Sequence, residues 1–137
     1  MTSALSAILI SLAAMVSIAF GVRYFFTRQF MPYHATVAGK SWAELERGVQ
    51  TAILGMLKIV GGGLATYGAA MLWLLWPLGR GEKWAAWAVL TVSATTLLPT
   101  LYVTIWLRRF QPNAKTPIAP TLVVLVLVLA GVGASIL

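Results

Sequence analysis

Four long stretches without a charged side chain constrain this sequence more than any other feature. They cover residues 2–22, 59–79, 84–107 and 116–137, and they are 21, 21, 24 and 22 residues long. Because an α-helix rises about 1.5 Å per residue, about 20 residues cross the roughly 30 Å hydrocarbon core of a bilayer. The stretches are continuously apolar and do not alternate, so they predict transmembrane helices rather than strands of a barrel.

The composition agrees with lipid as the solvent for most of the chain. Hydrophobic residues make up 60% of the 137 residues and charged residues 9%, whereas about a quarter of a soluble domain is charged. A soluble fold of this length has too little interior to bury so much apolar surface. We therefore predict a single all-α domain over residues 1–137, a four-helix membrane bundle in up-down antiparallel order, with spans at about 4–26, 51–76, 84–107 and 118–137.

Local signals predict the connections between the spans. Ser41-Trp42-Ala43-Glu44 matches a capping box, with Ser41 as the N-cap, and predicts a short interfacial helix that bends or runs into the second span. Pro32 predicts a turn or a reorienting loop earlier in the same connection. The segment Pro77-Leu78-Gly79-Arg80-Gly81-Glu82-Lys83 predicts a tight turn between the second and third spans.

Basic residues are distributed unequally between the two sides. The second connection holds only Arg80 and Lys83, whereas the first and third connections with their flanks hold the other eight basic residues: Arg23, Arg28, Lys40, Arg47, Lys58, Arg108, Arg109 and Lys115. Positive residues stay on the cytoplasmic side during insertion, so both termini are predicted to lie outside, on the periplasmic side in a bacterium. Because these charges lie at span ends, they favour binding to membrane lipids over binding to nucleic acid.

Small residues recur along one face of the second span. Gly61, Ala65, Gly68 and Ala69 share this face, and small residues at four-residue spacing let two helix backbones approach closely. The pattern predicts a helix-packing or partner face. Packing within the chain, self-association and a groove for a cofactor all remain open.

Hydroxyl residues line one face of the third span. Thr96, Thr100 and Thr104 follow one another at four-residue spacing, with Pro99 among them. Threonine hydroxyls in lipid usually bond carbonyls of their own helix, including carbonyls that a proline leaves free. The alternative is a polar lining for a small ligand.

The side chains that carry most chemistry are scarce. The chain has no cysteine, one histidine and three acidic residues, and none of the three lies in a predicted span, as proton-coupled transport would require. His34, Glu44 and Arg47 could converge as an interfacial site, although local pairing explains their presence equally well. We predict no catalytic residue, no metal site and no cofactor.

Several short motifs together resemble small bacterial four-helix inner-membrane proteins of unknown function. They are Phe30-Met31-Pro32-Tyr33-His34, Trp42-Ala43-Glu44-Leu45, Gly61-Gly62-Gly63 and Gly81-Glu82-Lys83-Trp84-Ala85. The resemblance implies a bacterial source, the inner (cytoplasmic) membrane and a four-span bundle. It implies no activity, so it transfers no functional residue.

Three functions remain for a chain of this kind. The first is a non-catalytic accessory or scaffold subunit of a larger membrane complex, which would contact other membrane subunits or a second copy. The alternative is a binding or transport module for a lipid, a quinone or another apolar small molecule, placed between the second and third spans. A third is an enzyme that acts on lipid headgroups through His34 and Glu44.

Overall fold

The computed structural model describes residues 4–136, which are all helical apart from their connections. The order is α1 (Ala4–Phe26), α2 (Pro32–Ala38), a 3₁₀ turn (Trp42–Glu44), α3 (Arg47–Gly79), α4 (Lys83–Phe110) and α5 (Ile118–Ile136). Within this part of the chain there is no strand. The last residue of the predicted fourth span, Leu137, lies outside the described residues.

The four long helices, α1, α3, α4 and α5, are each long and apolar enough to cross a membrane. The predicted all-helical class with four candidate spans is therefore confirmed. Large apolar side chains lie exposed on the outside of all four helices, as expected for a surface solvated by lipid. Four tryptophans are exposed around the α3–α4 connection and one near the end of α4: Trp73, Trp76, Trp84, Trp87 and Trp106.

Each long helix packs against two others. α1 contacts α3 and α5, and α4 contacts α5 and α3. The contact between α1 and α3 is the most extensive, because glycines lie where the two helices meet. A methyl group added at Gly61 would lie 2.6 Å from the carbonyl oxygen of Gly21, and one added at Gly21 would lie 2.7 Å from that of Gly61. Only hydrogen in place of a side chain permits this approach.

The interior consists of two buried apolar clusters at different depths. The larger one lies among the four long helices and includes Ile10, Met71, Val89 and Val128, all fully buried. The smaller cluster lies where the first connection folds back, and joins Tyr24, Phe30, Met31 and Leu57. The connection is therefore packed onto the helices and not left as a free loop.

The local structure of the first connection differs from the sequence-based expectation. A turn or reorienting loop was expected at Pro32, but Pro32 is instead the first residue of α2. Proline fits this position because the first N–H of a helix has no partner within the helix. The helix expected from Ser41 ends after one 3₁₀ turn. Its capping box forms, with Glu44 accepting from the Ser41 N–H, but Leu45 turns to extended backbone with ψ 141°, so α3 begins only at Arg47.

The second connection is also shorter than expected. α3 continues through Pro77 to Gly79, so that only residues 80–82 connect it to α4. Pro77 lies in the last turn of the helix, where few backbone bonds depend on it. The N–H groups of Arg80 and Glu82 bond back to the Pro77 carbonyl, and Gly81 takes φ +76°, a conformation that glycine adopts without strain.

Candidate functional site

A cavity of about 360 Å³ lies between the two buried clusters. α1, α3, α4 and α5 all contribute to its wall, and α2 covers one end through Tyr33 and His34. Most of the wall is apolar: Val16, Phe20, Leu57, Val60, Leu64, Leu97, Val103, Leu107 and Val124. Its size is near the lower end of the roughly 300–1,000 Å³ typical of small-molecule sites.

The packing of α3 explains why the bundle is open here. Glycines hold α3 against α1, whereas α3 and α4 have the sparsest contact of the neighbouring helix pairs. α3 and α4 meet near their connection, where the Tyr67 and Ser93 hydroxyls lie 2.9 Å apart. Farther from the connection, residues of both helices line the cavity.

Polar groups are concentrated at the end of the cavity nearest the first connection. The Tyr24 and Tyr33 hydroxyls lie 2.8 Å apart. One hydroxyl hydrogen makes this bond, so the pair has a second hydrogen to offer a ligand. Burial raises the pKa of Tyr33 above its ordinary value, and its hydrogen bond with Tyr24 adds to the effect, so Tyr33 stays a neutral hydroxyl.

His34 is held in one tautomer by the backbone of its own helix. Its Nδ1 accepts the Met31 N–H at 3.0 Å, the role that a glutamate or glutamine plays in a capping box. The proton of the neutral ring must then be on Nε2. Because His34 lines the cavity, this N–H is the donor that its ring can offer a ligand. Burial lowers the pKa of His34 and favours this neutral form.

The hydroxyl groups along the cavity donate to carbonyls of their own helices. Thr100 donates to Thr96 at 2.7 Å, and Thr104 donates to Leu101 at 3.0 Å. Ser17 does the same within α1, and Thr121 of α5 donates to Pro117, the residue before that helix. Their hydrogens are engaged, so these side chains offer a ligand only acceptor lone pairs. The donors are therefore confined to the end formed by His34 and the tyrosine pair.

The predicted threonine face lies only partly at the cavity. Thr100 and Thr104 line it, whereas Thr96 contributes its carbonyl to the Thr100 hydroxyl and does not form part of the wall. Of the predicted interfacial residues, His34 lines the cavity. Glu44 and Arg47 lie outside it, exposed to the surroundings. Hydrogen bonds to Ser41 lower the pKa of the Glu44 carboxyl.

The small-residue face of α3 is divided by the fold. Gly61 and Gly68 are buried against α1, and Ala65 lies between them, half-buried and close to Gly21. Ala69 is exposed. This face therefore packs within the chain through three of its four predicted residues.

Tyr24 and Tyr33 are cavity residues that the sequence alone did not single out. Tyr24 belongs to a cluster of aromatic and basic residues at the end of the first span, which usually marks the headgroup layer, and Tyr33 occurred only within the Phe30-Met31-Pro32-Tyr33-His34 motif. No group of three or more histidine and acidic residues capable of holding a metal ion occurs between residues 4 and 136. Comparison of the chain with protein-family models, with curated proteins and with solved structures gives no match.

Proposed function

We propose that this protein is a non-catalytic binding module for an amphipathic small molecule, such as a single-chain lipid or a quinone, in a bacterial inner membrane. The observation that carries the proposal is the cavity of about 360 Å³, apolar along its length and polar at one end. An apolar wall favours the apolar part of a ligand over water. The small volume favours a molecule with one chain over a two-chain phospholipid.

The distribution of donors and acceptors supports an amphipathic ligand in one orientation. Donors lie at the end with His34, Tyr24 and Tyr33, and the rest of the wall offers apolar surface with a few acceptors. A carbonyl or another acceptor group would bind at the polar end, and the chain would extend between α3 and α4. A wholly apolar molecule would leave buried donors without partners, which weakens binding.

We further propose an up-down antiparallel bundle with both termini on the periplasmic side. The helix neighbours in space are also neighbours along the chain, apart from α1 and α5, which close the ring. The polar end of the cavity then opens towards the cytoplasmic leaflet, because it lies beside the connections that carry most of the basic residues. In this arrangement α2 lies at the cytoplasmic membrane surface.

A cavity-filling substitution tests the binding proposal. Thr100→Phe puts a ring into the cavity, and Thr95→Phe is the matched control on the same helix, because Thr95 is exposed and its hydroxyl also bonds a carbonyl of α4. Monolaurin and decylubiquinone serve as probes in native mass spectrometry from detergent micelles. We expect bound probe with the unaltered protein and with Thr95→Phe, and at least a tenfold loss with Thr100→Phe. Equal binding by all three would refute the proposal.

A second candidate, an accessory subunit that packs against another transmembrane helix, is favoured by the outer face of α3. A methyl group added at Gly55, Gly62 or Gly63 would touch nothing within 4 Å, so a side chain at these positions would meet no other part of the chain. Bare backbone on the outside of a span lets a partner helix approach closely. Purification in mild detergent tests this function: a monomer that brings no other protein with it would count against it.

A further inference from the structure

We propose that a second pocket, next to the cavity, binds the anionic headgroup of the same ligand. This pocket measures about 310 Å³ and lies between α1, the start of α2 and the start of α5. It shares five residues with the cavity wall: Phe20, Tyr24, Tyr33, Pro117 and Pro120. The inference rests on the proposed function and deepens it, because it specifies the ligand as a single-chain amphiphile with an oxyanion head.

Two cationic side chains without carboxylate partners line this pocket. Arg23 comes from the end of α1 and Lys115 from the connection between α4 and α5. Between residues 4 and 136 the one salt bridge joins Arg80 to Glu82, at the opposite end of the bundle. The carboxylate of Glu44 accepts a hydrogen bond from the Ser41 N–H instead of pairing with a cation. Neither cation is therefore neutralised by the protein, and both can contact a negatively charged group.

A buried hydroxyl provides the independent evidence that a ligand belongs here. Thr116 lines the pocket with 7% of its surface exposed, and its Oγ1 has no hydrogen-bond partner among residues 4–136. A buried polar group without a partner destabilises the folded protein. A small rotation of the Thr116 side chain would bring this hydroxyl to a ligand oxygen in the pocket, which would accept its hydrogen and remove that cost.

The backbone adds positive potential to the same place. α5 begins at Ile118, directly after Thr116 and Pro117, and runs for 19 residues away from the pocket. The N-terminal end of a helix carries about half a positive charge. Arginine, lysine, a hydroxyl donor and a helix N-terminus together form a set that recognises phosphate or carboxylate, and the adjoining cavity takes the acyl chain.

Charge removal at the pocket tests the inference. The test variant is Arg23→Gln with Lys115→Gln, and the control is Arg28→Gln with Lys40→Gln, which removes the same charge from exposed residues that line neither pocket. The probes share a twelve-carbon chain: lauric acid, lauroyl lysophosphatidic acid and neutral monolaurin. Native mass spectrometry measures the dissociation constant of each.

The expected pattern separates this inference from the proposed function. One or both anionic probes should bind the unaltered protein and the control about tenfold or more tightly than monolaurin, and the test variant should lose this preference. The preferred anion shows whether the head is a phosphate or a carboxylate. Equal affinity for all three probes would overturn the headgroup site and leave the cavity proposal intact. Failure of every probe to bind would overturn both.

Thr116→Val distinguishes a ligand-binding role of this hydroxyl from a purely structural one. Removal of an unpartnered buried hydroxyl should leave the ligand-free protein as stable as before or more stable. The same change should weaken binding of the preferred anionic probe about fivefold, since one hydrogen bond is lost. A lower stability without ligand, or an unchanged affinity for the anion, would contradict a ligand-binding role for this hydroxyl.

Discussion

The contact between α1 and α3 can be tested by adding a single carbon atom. In Gly61→Ala the new methyl group would lie 2.5 Å from the Phe25 backbone nitrogen and 2.6 Å from the Gly21 carbonyl oxygen. Both atoms belong to the backbone of α1, so no side-chain rotation can relieve the overlap, and the two helices must move apart. Gly63→Ala is the matched control, because the same methyl group there meets nothing within 4 Å.

The magnitude follows from two opposing terms. Over-packing of a tight contact costs typically about 1–3 kcal/mol, and a contact with rigid backbone belongs at the upper end of that range. Replacement of a helical glycine by alanine recovers about 0.5–1 kcal/mol. We therefore expect Gly61→Ala to lower the free energy of unfolding by about 2 kcal/mol. Gly63→Ala should raise it by up to about 1 kcal/mol.

Unfolding in mixed micelles with increasing mole fractions of sodium dodecyl sulfate measures both values, with tryptophan fluorescence as the signal. Gly68→Ala is an intermediate case, because its methyl group would meet the Ile18 side chain at 2.5 Å and the Ala14 carbonyl oxygen at 2.7 Å. We expect the free energy of unfolding of Gly68→Ala to lie between those of the other two variants. If Gly61→Ala were as stable as Gly63→Ala, the close approach of α1 and α3 would be wrong.

Further predictions concern pH, a buried hydrogen bond and sidedness. Because burial lowers the pKa of His34, the unfolded chain binds its proton first, so stability should be constant above about pH 6.5 and decrease as the pH falls below it. His34→Gln keeps an acceptor for the Met31 N–H and should abolish this decrease, as detergent unfolding at pH 5 and 7 will show. Tyr67→Phe removes the bond to Ser93 and should cost about 1 kcal/mol in the same assay. The chain has no cysteine, so a single introduced thiol reports the side of the membrane on which it lies. A thiol reagent that does not cross the membrane should label Lys83→Cys from outside intact cells but should not label Asn113→Cys. The opposite labelling pattern would show that the proposed topology is inverted.

The number, position and type of the spans could be predicted from the sequence. The first span was expected at residues 4–26, and α1 covers Ala4–Phe26. The others differ mainly at their ends, where α3 and α4 extend beyond the charge-free stretches. These features follow from local composition, because transfer of a segment from water to lipid depends on its own length and polarity.

The hydrogen bonds of the threonine side chains in the third span could also be predicted from the sequence. Thr95, Thr100 and Thr104 all donate to carbonyls of α4, as a hydroxyl in lipid is expected to do. The capping box at Ser41 and Glu44 forms as expected as well. The helix that it was expected to open ends after one turn, because Leu45 takes extended backbone and α3 begins only at Arg47.

The rotation of each helix about its axis was decided by the tertiary structure. Gly61, Gly62 and Gly63 are identical in sequence terms, yet Gly61 is buried against α1 while nothing approaches a methyl group added at the other two. In water an apolar stripe marks the inner face of a helix, but in lipid both faces are apolar and this signal disappears.

The cavity and the pocket beside it were likewise decided by packing between distant segments. Tyr24 and Tyr33 meet only because the first connection folds back, and Thr116 comes to line a pocket with Arg23 only because α5 closes the ring against α1. By itself, the sequence determined that this chain forms four apolar helices, since that depends on each segment and its solvent. Which side chains share a cavity depends on contacts between segments far apart in the chain, and only the folded bundle contains that information.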